Sequence, residues 1–163
     1  MSQKERKEVI YSKALGITSY GLGLYMGQAE VIKDRLTAVY MRANRQIFNL
    51  PLPIKTKNEW VCKRIGVKTP RQLITEAGLK FINKVINTQM PPEIYKELEF
   101  PKRFRKSAKI STKTQPRTIK CRRSFIYIAL KQFNALHSSL KYLHPKIFKV
   151  VIQKRKILEV PIN

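Results

Sequence analysis

Acidic residues are scarce in this sequence. Ten Asp and Glu stand against 34 Lys and Arg in 163 residues, and Asp34 is the sole aspartate. Phosphoryl transfer by two metal ions needs carboxylates that hold cations about 4 Å apart, and no aspartate pair exists to do so. Glutamates could substitute only if Glu93, Glu97 and Glu99 converged. The spacing of four between Glu93 and Glu97 puts them on one helical face, yet it equally describes solvated surface charge. The sequence reads as that of a non-enzyme. Cys62 and Cys121 are the only cysteines, which excludes a disulfide framework and points to a reducing intracellular compartment, nucleus and cytoplasm being undistinguished. Together with His137 and His144 they amount to four potential zinc ligands, but separations of 59, 16 and 7 residues fit no compact site. Packed thiols and surface imidazoles are expected, with no metal and no cofactor.

Long apolar runs are missing too. The longest uncharged stretch, Ala14 to Ala29, has 16 residues and includes Gly16, Gly21, Gly23, Gly27, Thr18 and Ser19. A membrane span needs about 20 apolar residues, so no membrane partner is expected. A secretory leader fits poorly, because Glu5 and Glu8 interrupt the basic N-terminal stretch. Period-2 alternation and Asn-Gly or Asp-Gly turns are also absent, which argues against a sheet protein.

What the sequence does have is positive charge, unevenly placed. Residues 1–99 hold 17 basic and 9 acidic residues, whereas residues 100–163 hold 17 basic residues and only Glu159. The net charges are +8 and +16, and the total is +24. Hydrophobic residues still make up 43%, enough for a packed core. The composition therefore implies a folded basic domain that works beside a polyanion.

Helical signals run along most of the chain. Ser2 and Glu5 have capping-box spacing, followed by an apolar stripe through Val9, Ile10, Ala14, Ile17 and Leu24. A helix from about Gln28 to Asn49 places Ile32, Leu36, Val39, Ala43 and Ile47 on one face and Lys33, Arg35, Arg42 and Arg45 on the rest. Leu50-Pro51-Leu52-Pro53 ends it. Thr56 and Glu59 predict a short helix anchored by Trp60 and closed by Gly66. Thr69-Pro70-Arg71-Gln72 starts a longer one, buried through Leu73, Ile74, Ala77, Phe81, Ile82, Val85 and Ile86, and Met90-Pro91-Pro92 stops it before a short turn through Ile94 and Leu98. Helices resume at Ser124, with a short strand to Ile128 as the alternative, and after His144-Pro145, through Ile147, Phe148, Val151, Ile152 and Leu158. The aromatics Tyr11, Tyr20, Tyr25 and Tyr40 read more readily as core than as base-stacking platforms. The expected fold is mostly α, about six helices around one small core with an extended basic arm.

That arm is the chemically informative stretch. Lys102, Arg103, Arg105, Lys106, Lys109, Lys113, Arg117, Lys120, Arg122 and Arg123 occur with no acid and little periodicity. Such a run neutralises phosphates without choosing a sequence, although Pro101-Lys102-Arg103-Phe104-Arg105-Lys106 also resembles a nuclear-import signal. With few apolar residues, the arm is expected to stay mobile until a polyanion neutralises it.

Taken in order, several segments resemble one known family. They are Arg6-Lys-Glu-Val-Ile-Tyr-Ser-Lys-Ala-Leu-Gly-Ile-Thr-Ser-Tyr-Gly21, Arg35-Leu-Thr-Ala-Val-Tyr-Met-Arg-Ala-Asn-Arg-Gln-Ile-Phe-Asn-Leu-Pro51, Val61-Cys-Lys-Arg-Ile-Gly66, Met90-Pro-Pro-Glu-Ile-Tyr95, Pro116-Arg117, Phe133-Asn-Ala-Leu136 and Phe148-Lys149. Their order and spacing, across residues 6–155, resemble the thumb and C-terminal tail that follow the palm in reverse transcriptases of non-LTR (LINE-like) retroelements. The palm's paired aspartates have no counterpart here, so no polymerase activity is implied. The resemblance does imply a thumb-like helical region over 1–99, a basic arm over 100–123 and a C-terminal helical region over 124–163, packed as one domain. It also implies that Arg35, Arg42 and Arg45 face nucleic acid together with the arm, RNA being the more expected partner. A different class of function suits the same composition: a structural subunit of a large ribonucleoprotein such as a ribosome, with other proteins as neighbours.

Overall fold

The computed structural model describes residues 2–9, 12, 22–49, 57–101, 109–113, 118 and 124–154. Among them are eight α-helices, one 3₁₀ helix and one pair of two-residue strands. The order is α1 (Gln3–Val9), the 3₁₀ helix (Leu22–Gly27), α2 (Glu30–Ile47), α3 (Asn58–Ile65), α4 (Pro70–Thr88), α5 (Pro92–Glu97), β1 (Leu98–Glu99), β2 (Ser111–Thr112), α6 (Phe125–Ala135), α7 (Ser138–Lys141) and α8 (Pro145–Lys154). The fold is mostly α, as composition and periodicity imply. The segment from Ser124 is helical, not a strand. Two compact units divide the chain, Met1–Ile74 and Thr75–Asn163.

Local chemistry sets the helix ends in the first unit. Ser2 N–H donates to Glu5 Oε2 at 2.7 Å and Glu5 N–H to Ser2 Oγ at 3.3 Å, so each satisfies a donor that the first turn leaves free. The Thr69 and Gln72 box closes in the same way, at 2.9 and 3.2 Å, with Pro70 in the first helical position. Gly66 ends α3 at φ 68°, and N–H groups there return to Cys62 and Lys63 carbonyls. At the start of α3, however, Lys57 holds the cap position without a side-chain bond; Thr56 lies outside the described residues.

The core of this unit gathers Tyr40, Met41, Val61 and Cys62, with Ile65, Val67 and Leu73 packed on them. It turns α2 away from the face that hydropathy alone selects. Val39 is 68% exposed and Ile32 is exposed as well, while Tyr40, Met41, Asn44 and Ile47 are buried. Tyrosine and asparagine can go inside because their donors are used: Tyr40 Oη donates to the Lys68 carbonyl at 3.0 Å, and Asn44 Nδ2 to the Tyr40 carbonyl at 2.8 Å. Trp60 is not the anchor of α3. It is 45% exposed beneath the Arg64 guanidinium, 5.2 Å from its ring centre, and Val61 and Cys62 fill the interior instead. Tyr25 is half-buried, and Tyr11, Tyr20, Ile10, Ala14 and Ile17 lie outside the described residues.

The second unit buries Leu79, Ile82, Val85, Leu98, Ile110, Ala129, Leu130, Phe133, Leu140, Phe148 and Ile152. Phe133 of α6 and Phe148 of α8 meet with ring centres 6.1 Å apart, and Phe81 meets Phe125 edge-on at 5.1 Å. Full burial of a ring of this size contributes roughly 1.5–3 kcal/mol. Asn83, itself buried, donates to the Leu143 carbonyl at 3.1 Å, which fixes the turn between α7 and α8 against α4.

One expectation needs correction in this unit. The stretch from residue 100 to 123 is not an arm throughout: Ser111 and Thr112 pair antiparallel with Glu99 and Leu98, and Lys113 N–H donates to the Glu97 carbonyl at 2.8 Å. The cause is Ile110. It is buried, and its backbone is held at both groups by the Asn134 side chain, which accepts from Ile110 N–H at 3.0 Å and donates to Ile110 C=O at 2.7 Å. A single aliphatic residue with a satisfied backbone is enough to dock a segment whose other side chains are polar.

Candidate nucleic-acid interface

The first group of basic residues sits on α2. At 100° per residue, Val31, Arg35, Ala38, Val39 and Arg42 share one sector of the helix, opposite Tyr40 and Asn44. Arg35 and Arg42 are exposed and two turns apart, about 10 Å along the axis. Among the described residues neither has a carboxylate within ion-pair reach. Arg45 is half-buried and already engaged, so it adds less to an outward surface. Lys33 is tied to Glu30 at 2.9 Å. That bond is the main reason the Glu30 carboxyl lies below its ordinary range, with the Lys33 and Arg71 charges adding to it against a weaker effect of burial.

The second group flanks the docked centre of the basic stretch. Lys109 and Lys113 are both exposed, on either side of buried Ile110 and the β2 residues. The bonds from Asn134 fix the backbone at Ile110, and Lys113 N–H is held by the Glu97 carbonyl, so the two side chains leave from a docked segment. Lys102, Arg103, Arg105, Lys106, Arg117, Lys120, Arg122 and Arg123 lie outside the described residues.

Lys141, which the sequence does not single out, is the third feature. It ends α7 and is only 6% exposed. Its Nζ donates to the Asn134 carbonyl at 2.7 Å in a half-buried position. That carbonyl belongs to the last turn of α6, where it has no intrahelical partner, so the lysine caps the helix end. Burial lowers the Lys141 pKa from its usual value, and the neighbouring Lys109 charge lowers it further. Asn134 thus links the two segments: its amide holds Ile110, next to Lys109, and its carbonyl holds Lys141.

Catalytic geometry is not visible in the carboxylates. Asp34 is exposed and lies 3.7 Å from Arg71, and Glu93 and Glu97 are exposed on α5. Glu99 accepts from the Ser111 hydroxyl at 3.2 Å. Among the described residues no group of three His, Cys, Asp or Glu is placed to hold a metal ion. His137 and His144 are exposed, and each accepts a backbone N–H two residues on. Cys62 is buried, its thiol pushed up to about 11 by burial first and the Glu59 charge second; Cys121 lies outside the described residues. No helix among the described residues is long and apolar enough to cross a membrane.

The sequence marks Lys109 and Lys113 as candidates by charge and Arg35 and Arg42 through the resemblance, and all four are exposed. Sequence reasoning misses Ile110, Asn134 and Lys141 because the pairs that matter are 24 and 7 residues apart and carry no local spacing rule. No protein-family model, curated protein or solved structure matches this chain.

Proposed function

We propose that this chain is a non-catalytic nucleic-acid-binding protein that prefers RNA and holds it through phosphate contacts. The observation that carries the reading is the charge of residues 100–163, +16 with one acid, combined with a docked strand that exposed Lys109 and Lys113 flank. Arg35 and Arg42, exposed and without an ion pair among the described residues, support it, since a guanidinium fork can take two phosphate oxygens at once. The preference for RNA rests on the resemblance to the thumb and tail of non-LTR reverse transcriptases, which implies phosphate contacts from the α2 arginines and, separately, from the 102–123 stretch.

Fluorescence anisotropy with a 20-nucleotide single strand and a duplex, each as RNA and as DNA, tests the reading. If five to eight side chains reach phosphates, log K falls with log salt at a slope of roughly −4 to −7, whatever the base sequence. Binding insensitive to salt between 50 and 200 mM would overturn it. A second reading, a structural subunit of a large ribonucleoprotein, draws on the same docked strand, because a backbone pinned at Ile110 suits a segment threaded between RNA helices. Native size exclusion separates the two: a particle subunit is absent from the small-protein fractions.

A further inference from the structure

We infer that Lys109 and Lys141 form a seat for one phosphate group, built where Asn134 ties the basic segment to the end of α6. The seat deepens the nucleic-acid reading and depends on it for the source of the phosphate.

A mismatch stands at the end of α6. A helix-end carbonyl needs one donor, and any N–H or O–H would serve. Here the donor is a lysine that is 6% exposed, whose ammonium has three hydrogens and, among the described residues, one acceptor, the Asn134 carbonyl. Charge buried in this way is ordinarily paired with an opposite charge. Glu76 and Lys80 of the same unit follow that rule, since the buried carboxylate is matched by an ammonium one turn along α4. Lys141 does not, because among the described residues no carboxylate is within ion-pair reach of it. The sequence offers little relief, as Glu159 is the only acid after Glu99.

The nearest charge makes the mismatch larger. Lys109 repels Lys141 and precedes Ile110, whose N–H and C=O are both bonded by Asn134. Asn134 therefore ties both lysines to one place, through its side chain on the backbone next to Lys109 and its carbonyl on the Lys141 ammonium. An anion between them relieves the desolvation of Lys141 and the repulsion at once. A phosphate suits this better than a single-point acceptor, because its several oxygens can take hydrogens from both lysines together. Lys141 supplies the fixed wall of the seat and Lys109 the exposed one.

The test uses the full chain, Lys141→Met, Lys109→Ala and the double variant, with a 20-nucleotide oligo-U RNA across 50–300 mM salt. Because both lysines serve one phosphate, each single variant should weaken binding about three- to ten-fold and reduce the salt slope by roughly 0.7–0.9, and the double variant should lose little more than the worse single. Additive losses, or an unchanged slope in Lys141→Met, overturn the seat and leave the broader nucleic-acid reading standing. Lysine ammonium NMR on the wild-type chain decides the matter even if Lys141→Met fails to fold. Titration with the RNA should shift the Lys141 and Lys109 resonances together, and so should inorganic phosphate at higher concentration. Shifts with phosphate but none with RNA keep the seat and remove nucleic acid as its source. No shift with either, or a shift with poly-glutamate alone, overturns the proposal.

Discussion

Arg71 in the first unit and Lys141 in the second hold their charges in opposite ways. Arg71 meets Glu30 at 2.9 Å and Asp34 at 3.7 Å, and all three side chains are more than 60% exposed. Lys141 is buried and meets a peptide carbonyl. The first arrangement has every opposite charge it needs and sits in solvent that screens it, so it adds little to stability. The second has a geometric partner but, among the described residues, no electrostatic one. Paired surface charge decorates a fold, whereas a buried charge of this kind is where the proposed phosphate would bind.

The largest test of this contrast is aimed at Asn134. Asn134→Ala leaves the N–H and C=O of buried Ile110 without partners, and should cost about 2–4 kcal/mol in urea denaturation. Loss of amide protection should centre on residues 109–113. A change under about 0.5 kcal/mol would mean that the segment is held by the β pairing and apolar contact alone.

A pH series sharpens the comparison. The Cys62 thiol is raised from 9.0 to about 11, so above pH 9 the unfolded chain releases its proton first and the first unit loses stability until about pH 11. Lys141 is lowered, so the unfolded chain holds its proton longer and the second unit gains stability as pH approaches 10.5. Hydrogen exchange referenced to pH 8 should show opposite trends in α3 and α7 at pH 10, about 1 kcal/mol for the thiol. Cys62→Ala should abolish the first trend and leave the second. Parallel trends in the two helices would contradict the assignment.

The smallest effect is expected at Arg71. Arg71→Ala should change stability by less than about 1 kcal/mol, and by less still at 1 M salt, as read from thermal melts. A larger loss would show that the Glu30 and Asp34 contacts organise α2 instead of merely decorating it.

Much of the fold is legible in the sequence wherever a short-range rule applies. Ser2 with Glu5, Thr69 with Gln72, and Gly66 each announce a helix end because the partners lie within a few residues. Periodicity finds α2 but misjudges its face, since it discounts Tyr40 and Asn44 without seeing the carbonyls that let them be buried. Trp60 is overvalued for the opposite reason: size and apolarity promise an anchor, but Val61 and Cys62 one and two positions on take the interior. The candidate site is legible only as charge. Its organising residue, Asn134, looks like any polar residue near a helix end until Ile110 is brought beside it from 24 positions away.

The docking of Ile110 also separates what the chain must keep from what it is free to alter. Between Lys109 and Lys113 only Ile110 is buried, and the other attachments run chiefly through backbone, to Asn134, Glu97 and β1. The charges at 109 and 113 can therefore change with little penalty to folding, whereas 110 and 134 hold the segment by different means: an aliphatic side chain supplies the burial at one, and an amide supplies two backbone bonds at the other. In a collection of functional variants these two positions should both stay fixed, while the lysines around them drift with the anion they meet.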